Sequence, residues 1–433
     1  MKLKIILSAV VIILILALAG GAVWWRLRPQ VITFDDGSKL TLLAVQYGKH
    51  HEPPTVSGAK RGRAITTTND TLVVWIQEQY DNDNQYRSFQ LYAYDKAMTA
   101  CVGAGGLPYY NGKVNQVVGV RVPAFPRRQG GFILRVQEQG NGGQEMADTV
   151  FHIRHVTSDF RLMTPDTLPS SQDDNDLSVT LSKLVTGDKS IYNYNDVDAN
   201  DPMNKAVQAI FQVQRNGHSV TNWQPVAVET TDATGNEVSG QIENNQWQDA
   251  SDTMLYQFGL WPDEPAWKMR FEFSQQSDFA PEELWSVPNI PVLPGKQQDF
   301  WNGPFNRRGS QNNDKPYAES DVNGYHLKVF PAKSFTDVSP NSQPQGGMYV
   351  QVTPPLPDGM RLTITRLTDD QTNDINFYEY TWNPGRGTSV DRCQLQNLGD
   401  ATNLNLTIAL HKSRFVEFTA KPEIAPPLSD NSQ

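Results

Sequence analysis

The stretch Trp267-Lys-Met-Arg-Phe-Glu-Phe-Ser274 alternates apolar and polar residues without a break. Because successive side chains of a β-strand point to opposite faces of a sheet, this alternation predicts a strand with one buried face. Leu404–His411 alternates in the same way, and shorter alternations recur at Phe89–Ala93, Phe132–Val136 and Val226–Thr230. Clusters of Gly, Pro, Asn and Asp separate these stretches, and no long run with helical spacing interrupts them. The sequence therefore predicts an all-β protein built from antiparallel sheets.

The predicted strands recur in the same order along the chain. The opening strand Leu40–Val45 is echoed by Val179–Leu184 at an offset of 139 residues. Three aspartates that follow predicted strands, Asp95, Asp232 and Asp369, stand at a constant offset of 137 residues. Alternating patterns also align by chance, which is the alternative explanation of this match. A true triplication predicts three tandem immunoglobulin-like β-sandwich modules, with the three aspartates at equivalent turns.

Polar and proline-rich stretches mark the expected boundaries. Ser170–Asp176 is polar and acidic, and Pro288–Asn323 combines Pro, Gly, Gln and Asn without alternation. One short helix is expected at Pro281–Trp285, with Asp278 or Ser277 as its N-cap. The expected organisation is a signal anchor at 1–30, β-sandwich modules at 31–168, 169–295 and 324–421, a polar linker at 296–323, and a flexible tail at 422–433.

The amino-terminal segment Ile5–Trp25 consists of 21 uncharged residues. A transmembrane helix of that length spans the hydrocarbon core of a bilayer, which is about 30 Å thick. We therefore expect a single-pass membrane protein whose amino terminus is cytoplasmic and whose remaining chain is extracytoplasmic, either periplasmic or at the cell surface. The small residues Ala17–Ala19 also fit a cleavage site, so a cleaved signal peptide is the alternative.

Composition excludes several classes of protein and partner. With 433 residues, 38% of them apolar, the chain is too long for one small module and too apolar for a disordered protein. It has 37 Lys and Arg against 47 Asp and Glu, a net charge of −10. Its densest basic cluster is small and consists of Lys60, Arg61 and Arg63. Because this acidic surface repels phosphate backbones, no nucleic-acid partner is expected.

Signatures of common catalytic and cofactor sites are missing from the sequence. It contains no G-x-S-x-G nucleophile elbow, no H-E-x-x-H zinc motif and no cysteine pair at zinc spacing. Cys101 and Cys393 are its only cysteines, and a disulfide between them requires Cα atoms within about 7 Å. Two separate unpaired thiols are the favoured alternative. No cofactor is expected by these routes.

The best candidate for a metal site is an acidic stretch with four oxygen-bearing side chains, Asp196, Asp198, Asn200 and Asp201. Calcium prefers oxygen ligands at such short intervals. An EF-hand loop that starts at Asp196 requires glycine at its sixth position and glutamate at its twelfth, where this chain has Asp201 and Val207. A solvated acidic loop is therefore the favoured alternative to a calcium site.

Tryptophans are concentrated in one part of the chain, since six of the ten lie between Trp223 and Trp301. Tryptophans exposed on a β-sandwich can stack on sugar rings, which indicates a carbohydrate-binding surface. The candidate stacking residues are Trp223, Trp247, Trp285 and Trp301. Packing in a hydrophobic core is the alternative and explains most of the concentration, as the position of Trp267 on the apolar face of its strand illustrates.

Three strings carry a resemblance to a known family: GLWPDEPAWK at Gly259–Lys268, AFPRR at Ala124–Arg128 and HKSRFVEF at His411–Phe418. With the membrane segment, they resemble a family of membrane-anchored bacterial extracytoplasmic proteins of unknown function, over most of the chain. The strings are strand and turn signatures, so the resemblance implies an anchor and an extracytoplasmic location but no activity. The D-x-x-G-N turn at Asp232–Asn236 also resembles small immunoglobulin-like domains of bacterial envelope proteins, an analogy of fold alone.

Together these observations predict a membrane-anchored, extracytoplasmic protein that acts as a non-catalytic interaction or scaffold element. Its partner would be the membrane, through the amino-terminal helix, and a protein or glycan of the envelope. The alternatives are a carbohydrate-binding envelope module and an envelope hydrolase whose paired carboxylates are brought together only by folding.

Overall fold

The computed structural model describes residues 30–424 except residues 36, 81–85, 112, 140–148, 156–159, 191–204, 245–251, 257–260, 262–263, 298–299, 301–314, 339–344 and 383–386. Strands make up 65% of the structure, which confirms the expected all-β class. The described strands form four sheets, and their inward side chains gather in three large hydrophobic cores. The predicted anchor Ile5–Trp25 lies outside the described residues.

The first block consists of two four-stranded sheets on a common core. Its strands are β1 (Gln30–Thr33), β2 (Lys39–His51), β3 (Ile65–Tyr80), β4 (Tyr86–Tyr94), β5 (Cys101–Asn111), β6 (Val114–Val122), β7 (Gly131–Gln139) and β8 (Thr149–Arg154). The sheet orders are β1-β2-β3-β6 and β5-β4-β7-β8. Leu72, Val74 and Ile76 of β3 lie with Phe89 and Leu91 of β4 in the first core, all of them buried.

The second block begins with eight strands in chain order. These are β9 (Ser170–Asp174), β10 (Leu177–Ser190), β11 (Lys205–Arg215), β12 (His218–Ser219), β13 (Trp223–Thr231), β14 (Glu237–Asn244), β15 (Asp252–Tyr256) and β16 (Trp267–Gln275). Apolar side chains of β10 and β11 gather with those of β13 and β16 in the second core, where Phe211 contacts the rings of Phe271 and Phe273 at centroid distances of 4.9 and 5.3 Å.

The third block and the end of the chain contain eleven strands. These are β17 (Leu284–Gly295), β18 (Ala318–Val322), β19 (Tyr325–Val329), β20 (Ala332–Phe335), β21 (Gly346–Thr353), β22 (Met360–Asp369), β23 (Phe377–Trp382), β24 (Ser389–Leu395), β25 (Asn403–Lys412), β26 (Arg414–Ala420) and β27 (Glu423–Ile424). The third core joins β17, β19, β21, β22, β24 and β25, with Leu404, Leu406, Ile408 and Leu410 of β25 buried to 0–1% exposure.

Two strands are exchanged between the second and third blocks. In the first block, β7 pairs antiparallel with β8, the next strand along the chain. The corresponding strand of the second block, β16, pairs instead with β26 from the end of the chain, and β25 of the third block pairs with β17. Only Ser413 separates β25 from β26. Because even a tight hairpin needs about two loop residues, the chain continues directly into the other sheet.

This exchange divides the chain differently from the expected boundaries. Leu284–Gly295, placed at the end of the second module, pairs with third-block strands. Arg414–Ala420, placed in the third module, completes the second core with Val416, Phe418 and Ala420. Part of the expected linker forms β18, which pairs with β19. Most of β17 and all of β18 lie in the stretch without alternation, so the sequence pattern does not identify them as strands. Where alternation does identify a strand, it carries no information on which sheet the strand joins.

The three aspartates at the offset of 137 residues lie in turns that share their local hydrogen bonding. Asp95 follows β4 and Asp232 follows β13, each in a hairpin to the next strand, β5 or β14. Asp369 is the last residue of β22, whose described partner is β25 and not the next strand, β23. In each turn the aspartate Oδ1 accepts a hydrogen bond from the backbone N–H four residues later, at 2.6 Å from Thr99, 3.1 Å from Asn236 and 2.7 Å from Asn373. The residue before that donor has a positive φ in all three turns: Met98 (55°), Gly235 (88°) and Thr372 (69°).

The expected helix at Pro281–Trp285 is a short 3-10 turn, Pro281–Glu283. Its N-cap is Ala280 and not Asp278 or Ser277, because the Glu283 carboxylate accepts a hydrogen bond from the Ala280 N–H at 3.0 Å. Asp278 instead adopts a positive φ of 61° and helps to turn the chain between β16 and β17. This connection is one of the two segments that cross between the second and third blocks.

Candidate functional site

Side chains of the first and second blocks meet at the turn that contains Asn236. The side-chain amide of Asn236 donates to the Phe125 carbonyl at 2.9 Å and accepts from the Phe125 N–H at 3.1 Å. The amide thus pairs with a backbone segment as a neighbouring strand would. The Arg127 guanidinium also donates to Asn236 Oδ1 at 2.9 Å and lies over the Phe125 ring. The D-x-x-G-N turn therefore joins two blocks in addition to connecting two strands.

A buried ion pair reinforces this first junction. Arg128 donates from Nε to Glu264 Oε1 at 2.7 Å, with exposed side-chain fractions of 16% and 2%. Arg128 also donates to the carbonyls of Phe160 and Arg161. Trp261, from the same segment as Glu264, is buried in the first core. Removing either charge would leave its partner buried without a counter-ion, which is strongly unfavourable.

The second junction has its own ion pair where the exchanged strands meet. Arg361 of β22 donates from Nε and Nη2 to the two carboxylate oxygens of Glu272 on β16, at 2.8 and 2.5 Å. Ser413, the residue between β25 and β26, donates to Glu272 Oε1 at 2.5 Å. Burial alone would raise the pKa of Glu272, but the hydrogen bonds from Arg361 and Ser413 outweigh it and lower that pKa. Glu272 is therefore a charged structural group at neutral pH.

The alternation of exposed and buried residues along β16 ends where the strand reaches this junction, because both faces are buried there. At its beginning Lys268 is exposed, as the sequence predicts, but Glu272 and Ser274 on the same face are buried. Nearby His411 is also buried, and its ring lies 4.7 Å from that of Phe279. Burial lowers the pKa of His411, so the imidazole is neutral in the folded protein at neutral pH.

A second group of carboxylates lies on β23 and β24. Desolvation of the carboxyl group and the charge of Asp391 raise the pKa of Glu379, although the residue as a whole is exposed on β23. The same surroundings raise the pKa of the buried Cys393 thiol. Asp391 also lines a cavity of about 200 Å³ with Glu272 and Arg361. Folding has therefore brought together carboxylates that are distant in sequence, the feature that a hydrolase would need.

Two larger cavities coincide with the junctions. One of about 580 Å³ lies beside the first junction and is lined by residues that include Arg121, Arg127 and Gly235. The other, of about 690 Å³, lies at the second junction where the two crossing segments meet. Its lining includes Trp223 and Arg414. Cavities of this size between structural units are common locations for small-ligand sites.

The structure describes two of the four candidate stacking residues. Trp223 is 6% exposed and belongs to the second core. Trp285 is half-buried and packs against the third core. Trp247 and Trp301 lie outside the described residues. The packing alternative therefore accounts for Trp223 and Trp285, and the exposed aromatic side chains of the described regions include the tyrosines Tyr378 and Tyr380 instead.

The candidate calcium ligands Asp196, Asp198, Asn200 and Asp201 lie outside the described residues. Within the described ranges, no group of three or more His, Cys, Asp or Glu side chains is arranged to hold a metal ion. Cys101 and Cys393 are both buried and are not joined by a disulfide, in agreement with the favoured alternative. No helix of the described residues is long and apolar enough to cross a membrane.

The junction residues do not stand out in the sequence, although each of the three strings that carry the resemblance contains at least one of them. Arg128 and Glu264 lie within apparent strand and turn signatures, and alternation places Glu272 on the solvent face of a strand. One signal is present: Glu264 lies between Trp261 and Trp267 in a segment rich in apolar residues. A charge in such a segment needs a buried partner, but the sequence does not say which of 37 basic residues supplies it.

Comparison with known proteins identifies no relative, so the proposed function is argued from the fold and the two junctions alone. No protein-family model matches the chain, and no curated protein matches it.

Proposed function

We propose that this chain is a non-catalytic scaffold of the cell envelope, made of three tandem immunoglobulin-like β-sandwich modules on an amino-terminal transmembrane helix. The observation that supports it best is the exchange of β17 and β26, because each of the two later blocks contains a strand that belongs, in chain order, to the other. Such an arrangement resists separation of the two blocks by force or thermal motion. A scaffold that presents partners at fixed positions needs that property.

The three-module organisation is supported by the equivalent turns at Asp95, Asp232 and Asp369. It is also supported by the shared pairing of β4 with β7, β13 with β16, and β22 with β25. Antiparallel strands in two packed layers of this size are typical of immunoglobulin-like sandwiches. The anchor is supported by the uncharged length of Ile5–Trp25.

A distance measurement tests the rigid scaffold. Spin labels placed by Lys49→Cys on β2 and Arg366→Cys on β22 report the separation of the first and third blocks, while the buried Cys101 and Cys393 are shielded from labelling. We expect one narrow distance distribution, which broadens when Arg128→Met removes the ion pair of the first junction. A broad distribution in the otherwise unchanged chain would contradict a rigid scaffold.

Cell fractionation tests the anchor. The intact chain should remain with the membrane after salt and carbonate washes, because about twenty apolar residues hold a helix in the bilayer. A soluble protein beginning near Gly20 would instead show that the segment is a cleaved signal peptide.

An envelope hydrolase is the second candidate, favoured by the raised pKa of Glu379 beside Asp391. A carboxylic acid that stays protonated near neutral pH can act as a general acid. In that case the purified ectodomain should hydrolyse envelope polysaccharides, and Glu379→Gln should abolish the reaction without loss of folding. Absence of hydrolysis by the unmodified ectodomain would leave the scaffold as the supported function.

A further inference from the structure

His411 lies beside both crossing segments of the second junction. It is the last residue but one of β25, and it stands two residues before Ser413, where the chain crosses into the sheet of the second block. From the other crossing segment, the connection between β16 and β17, the ring of Phe279 packs on the imidazole at a centroid distance of 4.7 Å. His411 is only 2% exposed. The imidazole is therefore buried among the segments that hold the two blocks together.

The charged groups around His411 come from three elements. Arg361 of β22 is its direct partner in the strand ladder, and the carboxylates of Glu272 on β16 and Glu283 in the 3-10 turn also lie within electrostatic range. Both carboxylates already have donors, because Glu272 binds Arg361 and Glu283 accepts a backbone N–H of its own turn. The remaining charged residues of the two crossing segments are at least partly exposed: Asp278, Glu282, Lys412 and Arg414. No carboxylate is thus reserved for a protonated imidazole.

A proton on His411 would place a cation in a site that burial has removed from water. The neutral imidazole meets one partner there, since its Nε2 lies 3.1 Å from Thr363 Oγ1. Burial lowers the pKa of His411. The backbone of Lys412 and the carboxylates of Glu283 and Glu272 raise it again only in part. Protonation of His411 therefore favours any arrangement in which the imidazole reaches water.

The connection between β16 and β17 is the part of the junction that opens most easily. Residues 276–283 belong to no strand ladder, and they include the short 3-10 turn. Their backbone is held by single hydrogen bonds, such as those from the Gln276 N–H to the Asn222 carbonyl and from the Glu283 N–H to the Ala280 carbonyl. Segments with few backbone hydrogen bonds open locally while the strands around them stay paired. Movement of Phe279 with this connection would uncover one side of the imidazole.

We propose that the second junction is a pH-sensitive switch, in which protonation of His411 between about pH 6.5 and pH 5 releases the connection between β16 and β17 from β25. The exchanged strands stay in their sheets, so the blocks remain joined while the connection loosens. This switch is independent of the proposed scaffold function, because it needs only the second junction. It also acts at higher pH than the loss of charge on Glu272, which occurs below pH 4.5.

Proton linkage gives the direction and size of the response. Because the pKa of His411 is lower in the closed junction than its ordinary value of 6.5, the open state binds more protons between these two values. The ratio of open to closed junction is therefore constant above about pH 6.5. Below that pH it rises by up to about tenfold per pH unit, until the lowered pKa is reached.

Amide hydrogen exchange of the full chain, purified in detergent, tests the proposal between about pH 7.5 and pH 5. After correction for the intrinsic pH dependence of exchange, protection of the amides of Gln276, Ala280 and Glu283 should be constant above about pH 6.5 and fall by up to about tenfold per pH unit below it. Protection of β24, which contains no histidine, should stay constant. Constant protection of the connection over the whole range would overturn the proposal. An equal fall in β24 would mean that the whole third block opens, which would overturn it as well.

Substitutions of two histidines identify the group that responds to pH. His411→Phe keeps an aromatic ring against Phe279, and His411→Gln keeps a polar side chain near Thr363, but neither side chain takes up a proton in this range. The pH dependence should vanish in both variants, even where the protection itself changes. His218→Gln removes an exposed histidine on β12 and is the matched control, which should keep the pH dependence. If either folded His411 variant keeps the pH dependence, or His218→Gln loses it, another group is responsible and the proposal is overturned.

Discussion

The two junctions join neighbouring blocks by different means. The first block is joined to the second by side chains: the Asn236 amide against Phe125 and the Arg128–Glu264 ion pair. The second is joined to the third by backbone, because β26 and β17 each lie in the sheet of the other block. The first junction can therefore open without breaking a strand ladder, although Trp261 must then leave the first core. The second cannot open without breaking the ladders of β26 with β16 and β17 with β25.

The difference follows from the lengths of the connections. In the first block the segment 140–148 separates β7 from β8 along the chain, so the two strands can pair with each other. A single residue, Ser413, separates β25 from β26 and forbids that pairing. The one-residue connection thus forces β25 and β26 into different sheets, whereas the segment 276–283 between β16 and β17 is long enough for a hairpin that does not form.

The largest loss of stability is expected for side chains of β26 that are buried in the core of the second block. Phe418 of β26 is 1% exposed in the second core, so Phe418→Ala should lower the free energy of unfolding of that block by about 3–5 kcal/mol. Phe415 lies on the other face of the same strand and is half-buried, so Phe415→Ala is the control and should cost much less. The loss of stability in each variant is measured by amide hydrogen exchange of β13 and β16. Equal losses in the two variants would mean that β26 does not complete the second core.

The next largest effect is expected at the ion pair of the second junction. Arg361→Met leaves Glu272 buried beside Ser413 without its cation and should lower the free energy of unfolding by about 2 kcal/mol. The loss is smaller than for a fully enclosed pair because the Arg361 side chain is 35% exposed. Adding Glu272→Leu removes the stranded charge and should recover most of the loss. Denaturant unfolding of the single and double variants tests this. If the double variant is no more stable than Arg361→Met, the pair is not the source of the loss.

The same pair predicts a pH dependence. Because the pKa of Glu272 is lower in the folded state than its ordinary value of 4.5, the unfolded chain binds more protons between these two values. The stabilisation is therefore complete above about pH 4.5 and is lost as the pH falls through the lowered pKa. Glu272→Gln should flatten the acid side of the stability profile measured by thermal melting. An unchanged acid slope in that variant would assign acid sensitivity to other groups.

A matched pair of asparagines sharpens the comparison further. Asn236 and Asn373 occupy the same position of equivalent turns and both donate to the turn aspartate at 2.7 Å. Asn236 is 4% exposed and also binds Phe125 and Arg127, whereas Asn373 is exposed. Asn236→Ala should cost about 2 kcal/mol because it leaves buried backbone groups of Phe125 unpaired. Asn373→Ala should cost clearly less in the same unfolding assay, and a similar cost would mean that the turn alone needs the side chain.

How much the sequence predicts differs between elements and junctions. Alternation identifies Trp267–Ser274 and Leu404–His411 as strands because burial of one face is a local property with period two. The constant offset of 137 identifies the equivalent turns because the hydrogen bonds of Asp232 and Asp369 are also local. Contacts between sheets are not local. The sequence around Glu272 does not indicate that its ion-pair partner is Arg361, which is 89 residues away. The exchange itself is indicated only by the one-residue gap at Ser413.

The smallest effect concerns the backbone of the turn that lies away from both junctions. Thr372 holds a φ of 69°, a conformation that a β-branched residue adopts only under strain, whereas Gly235 meets the same requirement without cost. Thr372→Gly relieves strain of about 1–2 kcal/mol but makes the unfolded chain more flexible, which costs about 0.4–1 kcal/mol. The net expectation is stabilisation by about 0.5 kcal/mol, measured as a small rise in denaturant midpoint. Gly235→Ala, the reverse change in the equivalent turn, should destabilise. If Thr372→Gly lowers the midpoint instead, the turn at Asp369 is not strained, and its likeness to the Asp232 turn is limited to hydrogen bonding.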